Sequence, residues 1–225
     1  MIQQKFAFPE FLRHLLPETV AMGSGDPRAP MPRLMGDEVL AIEQVSTARA
    51  RAFGAGRQAA REAMAQLGLI PRPVLQGIDL APVWPAGLTG SITHTDTACL
   101  AVVTDAPEIA ALGIDLEPAT ALEPSLWPVV CTMPEMNWLA RLGPTQRGNF
   151  AQLILCAKHA VYKAQFQISR TELDFQAVGL DIDLQASRFT ARFNCALPGF
   201  APETELPGRF AILSSAFVAT VEVAR

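Results

Sequence analysis

The chain has 225 residues, of which 50% are hydrophobic and 18% charged, and it carries a net charge of −4 with a pI of about 5.4. This length buries a core without disulfides or a structural metal, and the composition excludes a disordered chain. The acidic balance excludes a global basic field that would hold duplex nucleic acid, while leaving room for a local basic patch that meets a phosphorylated small molecule.

The opening stretch, MIQQKFAFPEFLRHLL, lacks a basic segment followed by a long apolar one, and no later apolar run approaches the roughly 20 residues of a membrane span, so a cytoplasmic location is expected. Residues 23–36, rich in Gly and Pro, read as an irregular surface segment after a short strand or turn. A helical pattern follows from Gly36 to Leu67, with Asp37 as its cap, Phe53, Ala60, Met64 and Leu67 on an inward stripe, and Gly68 as its stop. Gly54 and Gly56 each cost a helix roughly 1 kcal/mol against Ala, so two shorter helices are an equal reading. After a Pro-rich turn, the segments around GLTGSITH, ACLAVVTD and IAALGIDLEP read as two or three consecutive strands, with GSITH itself as a turn before an apolar strand. Prolines 118, 124, 128, 134 and 144 allow only short helical pieces, MPEMNWLARLG being the best of them. The strongest helix is GNFAQLILCAKHAVYKAQF, where Phe150, Leu153, Ile154, Ala157, Val161 and Ala164 share one side and His159 and Lys163 lie near the other, facing solvent or a cleft. The remainder alternates like a terminal antiparallel sheet. Cys99, Cys131, Cys156 and Cys195 are widely spaced, with no metal-ligand pattern, and read as reduced packing residues.

Three groups of side chains are able to carry chemistry. In GIDLE, Asp115 and Glu117 are separated by one residue on a predicted strand and so point to the same face. They are either two hard oxygen ligands for Mg2+, which takes one or two carboxylates with waters and phosphate oxygens, or a solvent-facing pair at a strand end. In GSITH, Ser91, Thr93 and His94 are placed to offer hydroxyls and an imidazole to a phosphate, or His94 is an ordinary turn residue. Arg49, Arg51, Arg57 and Arg61 crowd one short stretch; Arg49 and Arg57, eight residues apart, share a face if the helix is continuous, forming either a phosphate-binding surface or a solvated one.

The order of these elements, from ARARAFGAGRQAAREAMAQLG through PVWPAGLTGSITH and GIDLE to AKHAVYKA, resembles the motif series of the 4'-phosphopantetheinyl transferases that serve siderophore and other peptide or polyketide assembly lines. The resemblance covers residues 46 to 166. It implies an α/β (α+β) fold of two pseudo-symmetric halves, each a small antiparallel sheet with a packed helix, divided here as 1–118 and 119–225; with two such halves a monomer suffices. It also implies Mg2+-dependent transfer of the 4'-phosphopantetheine arm of coenzyme A to a serine of an acyl or peptidyl carrier protein. By the same resemblance Asp115 and Glu117 match the metal ligands, while Arg49, Arg57, Ser91, Thr93, His94, Lys158 and Lys163 match coenzyme A contacts. His159 and Lys163 are the expected catalytic pair. One departure stands out: His159 occupies the place of the Glu in the family's KEAxxK helix, where an imidazole is a poor Mg2+ ligand yet a possible general base. The other reading is therefore an impaired member that binds coenzyme A or a carrier protein without transfer.

Overall fold

The computed structural model describes residues 10–225, and the chain divides into two compact units, one ending at Ile109 and the other running Ala110–Arg225.

In the first unit β1 (Ala21–Gly25) leads through a Pro-rich stretch and a short 3-10 helix, Gly36–Ile42, to α1 (Thr47–Gln66). A small ribbon follows, β2 (Leu75–Gln76) with β3 (Pro82–Val83), and then β4 (Thr89–His94) and β5 (Cys99–Thr104). The sheet order is β1-β5-β4, with both pairings antiparallel. The expected helix over 36–67 is thus broken at its start, and its cap is Ser46, whose hydroxyl accepts the Arg49 amide at 3.3 Å. Asp37 lies instead in the first turn of the 3-10 helix. From Thr47 onward α1 is continuous through both glycines. The reason is tertiary: a Cβ at position 56 would sit 2.8 Å from the Ile92 methyl of β4, so the missing side chain lets helix and sheet close. Ala59, Ala60, Ala63 and Met64 pack there against Ala21, Ala101 and Val103.

The second unit holds β6 (Ile109–Pro118), the short helices α2 (Trp127–Val130) and α3 (Met133–Ala140), the long α4 (Arg147–Ser169), and the strands β7 (Val178–Asp183), β8 (Arg188–Phe193), β9 (Glu205–Ile212) and β10 (Ala216–Ala224). These strands form one sheet in the order β6-β10-β9-β8-β7. The strand that carries GIDLE therefore pairs with the last strand of the chain and belongs to the second unit, so the division falls at 109/110 rather than at 118. No local signal predicts this, because pairing between residues a hundred positions apart is decided by which edge is left to cover. Each unit nonetheless has the expected form, an antiparallel sheet with a packed helix. The apolar side of α4, with Leu153, Ala157, Ala160, Val161 and Ala164, packs on Phe189, Phe193, Phe210, Phe217 and Val221 of the sheet.

One device recurs in both units. A Cβ on Gly23 of β1 would fall 1.9 Å from the Ala59 carbonyl oxygen of α1, and a Cβ on Gly113 of β6 would fall 1.9 Å from the Ala160 carbonyl oxygen of α4. A strand glycine facing a helix alanine brings the two backbones into contact, a distance that any larger residue forbids. All four cysteines are free, with Cys99, Cys131 and Cys156 buried. No helix among the described residues is long and apolar enough to cross a membrane.

Candidate active site

On β6 the residues that face α4 are Ala111, Gly113, Asp115 and Glu117, two small ones and then two carboxylates. The small pair lets α4 approach, and the carboxylates then meet the polar row of that helix. Asp115 is buried at 4% exposure, and Lys163 Nζ donates to its Oδ1 at 2.5 Å and to the Ile114 carbonyl at 3.1 Å. His159 Nδ1 stands 3.2 Å from Glu117 Oε1 and 3.4 Å from Asp115 Oδ2. The ligand atoms of Asp115, Glu117 and His159 all lie within 4.8 Å of one another. His159 and Lys163 therefore face the strand carboxylates, and the reading of GIDLE as a solvent-facing pair is set aside by this convergence.

The electrostatics follow from the crowding. Burial pushes the Asp115 carboxyl upward, but the Lys163 ammonium and the His159 imidazole outweigh it and hold the group well below the ordinary carboxylate range. For His159 burial disfavours the charge, while hydrogen bonds to Asp115 and Glu117 favour it more, and its pKa rises to about 9. Without a cation the site is balanced by two anions and two cations. The donor set fits a divalent ion: the two carboxylates would supply hard oxygens suited to Mg2+, and the imidazole beside them is the softer, poorer partner for it. Beside His159 lies a cavity of about 260 Å³, walled by Tyr162, Leu173, Phe175 and Val178, with the Phe175 ring 5.5 Å from the imidazole.

Other expected site residues are placed differently. Lys158 is buried at 2% exposure; its ammonium lies 2.8 Å from the Val130 and Phe175 carbonyls and 2.9 Å from Glu135 Oε2. Three acceptors match its three donors, so Lys158 ties α4 to α2 and α3 and offers no cation to a ligand. Arg57 is likewise buried: Nε and one terminal nitrogen donate to the carbonyls of Val74 and Leu75 at 3.0 and 3.2 Å, and the guanidinium lies over the Phe53 ring. Burial lowers its pKa to about 10. It anchors the 74–75 backbone to α1, whereas Arg49 is exposed, so the two do not share one open face. Arg61 pairs with the buried Glu38 at 2.9 Å. GSITH is a strand and not a turn, which splits its side chains: Ser91 and Thr93 are buried on one face of β4, while Ile92 and His94 lie on the α1 face. There His94 Nε2 is 3.1 Å from an Arg49 guanidinium nitrogen.

Gln152 is the site residue that sequence reasoning missed. It is buried and its amide donates to Glu117 Oε2 at 3.2 Å. Its signal was available, since it precedes His159 by seven residues and so shares that helix face.

The site thus brings a buried Asp115 and a half-buried Glu117 on one strand against His159 and Lys163 on one helix. A family profile described as the 4'-phosphopantetheinyl transferase N-terminal domain matches residues 37–104, and that of the 4'-phosphopantetheinyl transferase superfamily matches residues 111–212. The chain belongs to the 4'-phosphopantetheinyl transferase superfamily. It is 36% identical to the 4'-phosphopantetheinyl transferase Svp of Streptomyces mobaraensis over 167 residues, covering 74% of this chain and 68% of the relative. It is 30% identical to the 4'-phosphopantetheinyl transferase PptT of Mycobacterium tuberculosis over 183 residues, 78% of this chain and 80% of the relative. To the 4'-phosphopantetheinyl transferase Npt of Nocardia iowensis it is 33% identical over 137 residues, 61% of each. The superfamily is one of enzymes, and its two profiles meet at the same point in the chain, between 104 and 111, where the two units divide.

Proposed function

We propose that this transferase moves the 4'-phosphopantetheine arm of coenzyme A to a serine of a carrier protein, with Mg2+ held by Asp115 and Glu117. The serine oxygen forms a bond to phosphorus, the phosphorus–oxygen bond to adenosine 3',5'-bisphosphate breaks, and the serine proton passes to His159. The observation that carries the reading is the convergence of Asp115, Glu117 and His159 within 4.8 Å beside Lys163. When bound, the cation neutralises charge that develops on the pyrophosphate. Lys163 fixes Asp115 and adds positive charge at the same place. Neutral His159 is the acceptor of the proton, and the carboxylates around Nδ1 then stabilise the imidazolium that forms. In the first unit the exposed Arg49, beside His94, offers a guanidinium to a phosphate of coenzyme A. The cavity beside His159 has room for the reacting part of the substrate.

The second reading, a family member that binds coenzyme A without transfer, is favoured by a single observation, the His159 imidazole set 3.2 to 3.4 Å from both carboxylates where the KEAxxK motif has Glu. Incubation with coenzyme A, Mg2+ and an apo carrier protein separates them. Mass spectrometry is expected to show the carrier gaining phosphopantetheine. Coenzyme A binding by calorimetry with an unmodified carrier would establish the second reading instead.

A further inference from the structure

Helix α4 presents Gln152, His159 and Lys163 to β6 in a single row, since intervals of seven and four residues return to the same side of a helix. The row divides the four carboxylate oxygens between two kinds of partner. Lys163 donates to Asp115 Oδ1 at 2.5 Å, and Gln152 donates to Glu117 Oε2 at 3.2 Å. The other two oxygens, Asp115 Oδ2 and Glu117 Oε1, both turn to His159 Nδ1, at 3.4 and 3.2 Å. Asp115 is locked by deep burial and an ion pair. Glu117 is not: its side chain is 22% exposed, it has one more rotatable bond than Asp, and apart from His159 its partner is the Gln152 amide. Gln152 itself is 6% exposed, so its amide has little freedom to turn elsewhere.

We propose that Gln152 is a positioning residue of the cation site, holding Glu117 by Oε2 so that Oε1 alone is presented beside Asp115 Oδ2. This rests on the reading that Asp115 and Glu117 hold a divalent ion. A neutral amide suits the task because it orients a carboxylate without competing with the cation, as a lysine at the same place would. Besides the His159 they share, the two carboxylates are then held alike, each by one further donor from α4, and each turns its other oxygen to the same side.

The test uses the full chain and Mn2+ as the probe, titrated by electron paramagnetic resonance of the free ion, with neither coenzyme A nor carrier present. Gln152→Met keeps the shape and removes the donor. Its Kd for Mn2+ is expected to rise roughly 10- to 100-fold, as for other groups that orient a metal ligand, with an unchanged thermal midpoint. In the transfer assay its half-saturating Mg2+ concentration rises while the rate at saturating Mg2+ returns toward that of the wild type, a split that a purely structural defect would not produce. Gln152→Leu is read the same way should the methionine variant fail to fold. Equal Mn2+ affinities in wild type and a folded variant, with transfer by the wild type intact, overturn the role of Gln152 and leave the proposed function standing. A wild type that binds no Mn2+ overturns the cation site and the role of Gln152 together.

Discussion

Removing Asp115 acts on more than the cation. As a pair of repelling carboxylates, Asp115 and Glu117 would lose little stability on truncation, but the structure sets Lys163 and His159 against Asp115. Asp115→Ala strands those two cations beside a buried strand, and with Lys163 partly exposed the cost is about 1–3 kcal/mol. Denaturant unfolding is expected to show that loss, and mass spectrometry the absence of carrier modification; an unchanged midpoint with full transfer would remove Asp115 from the site. Arg57 and Lys158 undergo a similar change of meaning. Arg57→Ala loses two charged hydrogen bonds and its stacking on Phe53, so a fall in stability of about 2–3 kcal/mol is expected in place of a selective loss of coenzyme A affinity. Calorimetry on the folded fraction would detect the contrary case, an affinity loss without a stability loss. Lys158→Met leaves Glu135 buried among backbone groups without its cation, at about 3–5 kcal/mol, and Lys158→Met combined with Glu135→Leu should recover part of that loss.

Among the elements, β6 and α4 set the site through their separation. Gly113 permits the contact with the Ala160 carbonyl, two residues before Asp115 on the strand and one after His159 on the helix. Gly113→Ala must push the helix away, since the new methyl would meet backbone and not a flexible side chain; overpacking of this kind costs about 1–3 kcal/mol. Because the same shift carries His159 and Lys163 off the carboxylates, transfer should fall more steeply than stability. Comparison with Gly23→Ala isolates that effect: it makes the equivalent clash with Ala59 in the first unit, where no such cluster stands among the described residues. A variant pair with equal losses of stability and equal residual transfer would show that the strand–helix distance does not govern the site.

For the whole molecule the coupling between site and stability appears in its pH dependence. The folded pKa of His159, about 9, lies above its ordinary value of about 6.5. Its contribution is therefore fully present below about pH 6.5 and is lost as pH rises through about 9. Asp115 acts in the opposite sense, its depressed pKa giving stability that is lost only as the solution becomes strongly acid. In a chelator, the difference in unfolding free energy between wild type and His159→Gln should shrink between pH 7 and pH 10. A difference that stays constant over that range would mean that the carboxylates do not hold the imidazolium. In transfer, the neutral fraction of His159 grows with pH, so the rate should rise toward an apparent pKa that a bound cation lowers from 9. Equal pH profiles for wild type and His159→Ala would exclude the imidazole as the base.

What the sequence determined by itself was local or short in range. The alternation of β6 put Asp115 and Glu117 on one face and the helical period of α4 separated Leu153, Ala157 and Val161 from His159 and Lys163, because two- and 3.6-residue repeats follow from backbone geometry alone, while the order of the motifs carried the resemblance to the family. Tertiary structure decided the rest. Which cations were free depended on what each one met: Lys158 found Glu135 and two carbonyls, Arg57 found the 74–75 backbone, and Arg49 was left open beside His94. GSITH had turn-like residues but became a strand because β5 offered it a full antiparallel ladder, which sent Ser91 and His94 to opposite faces. The allegiance of GIDLE was fixed by the edge that β10 presented, and the sign of the His159 shift by the side on which the two carboxylates stood. Each of these is a choice among partners distant in sequence, where burial and charge are set by the neighbour and not by the residue itself.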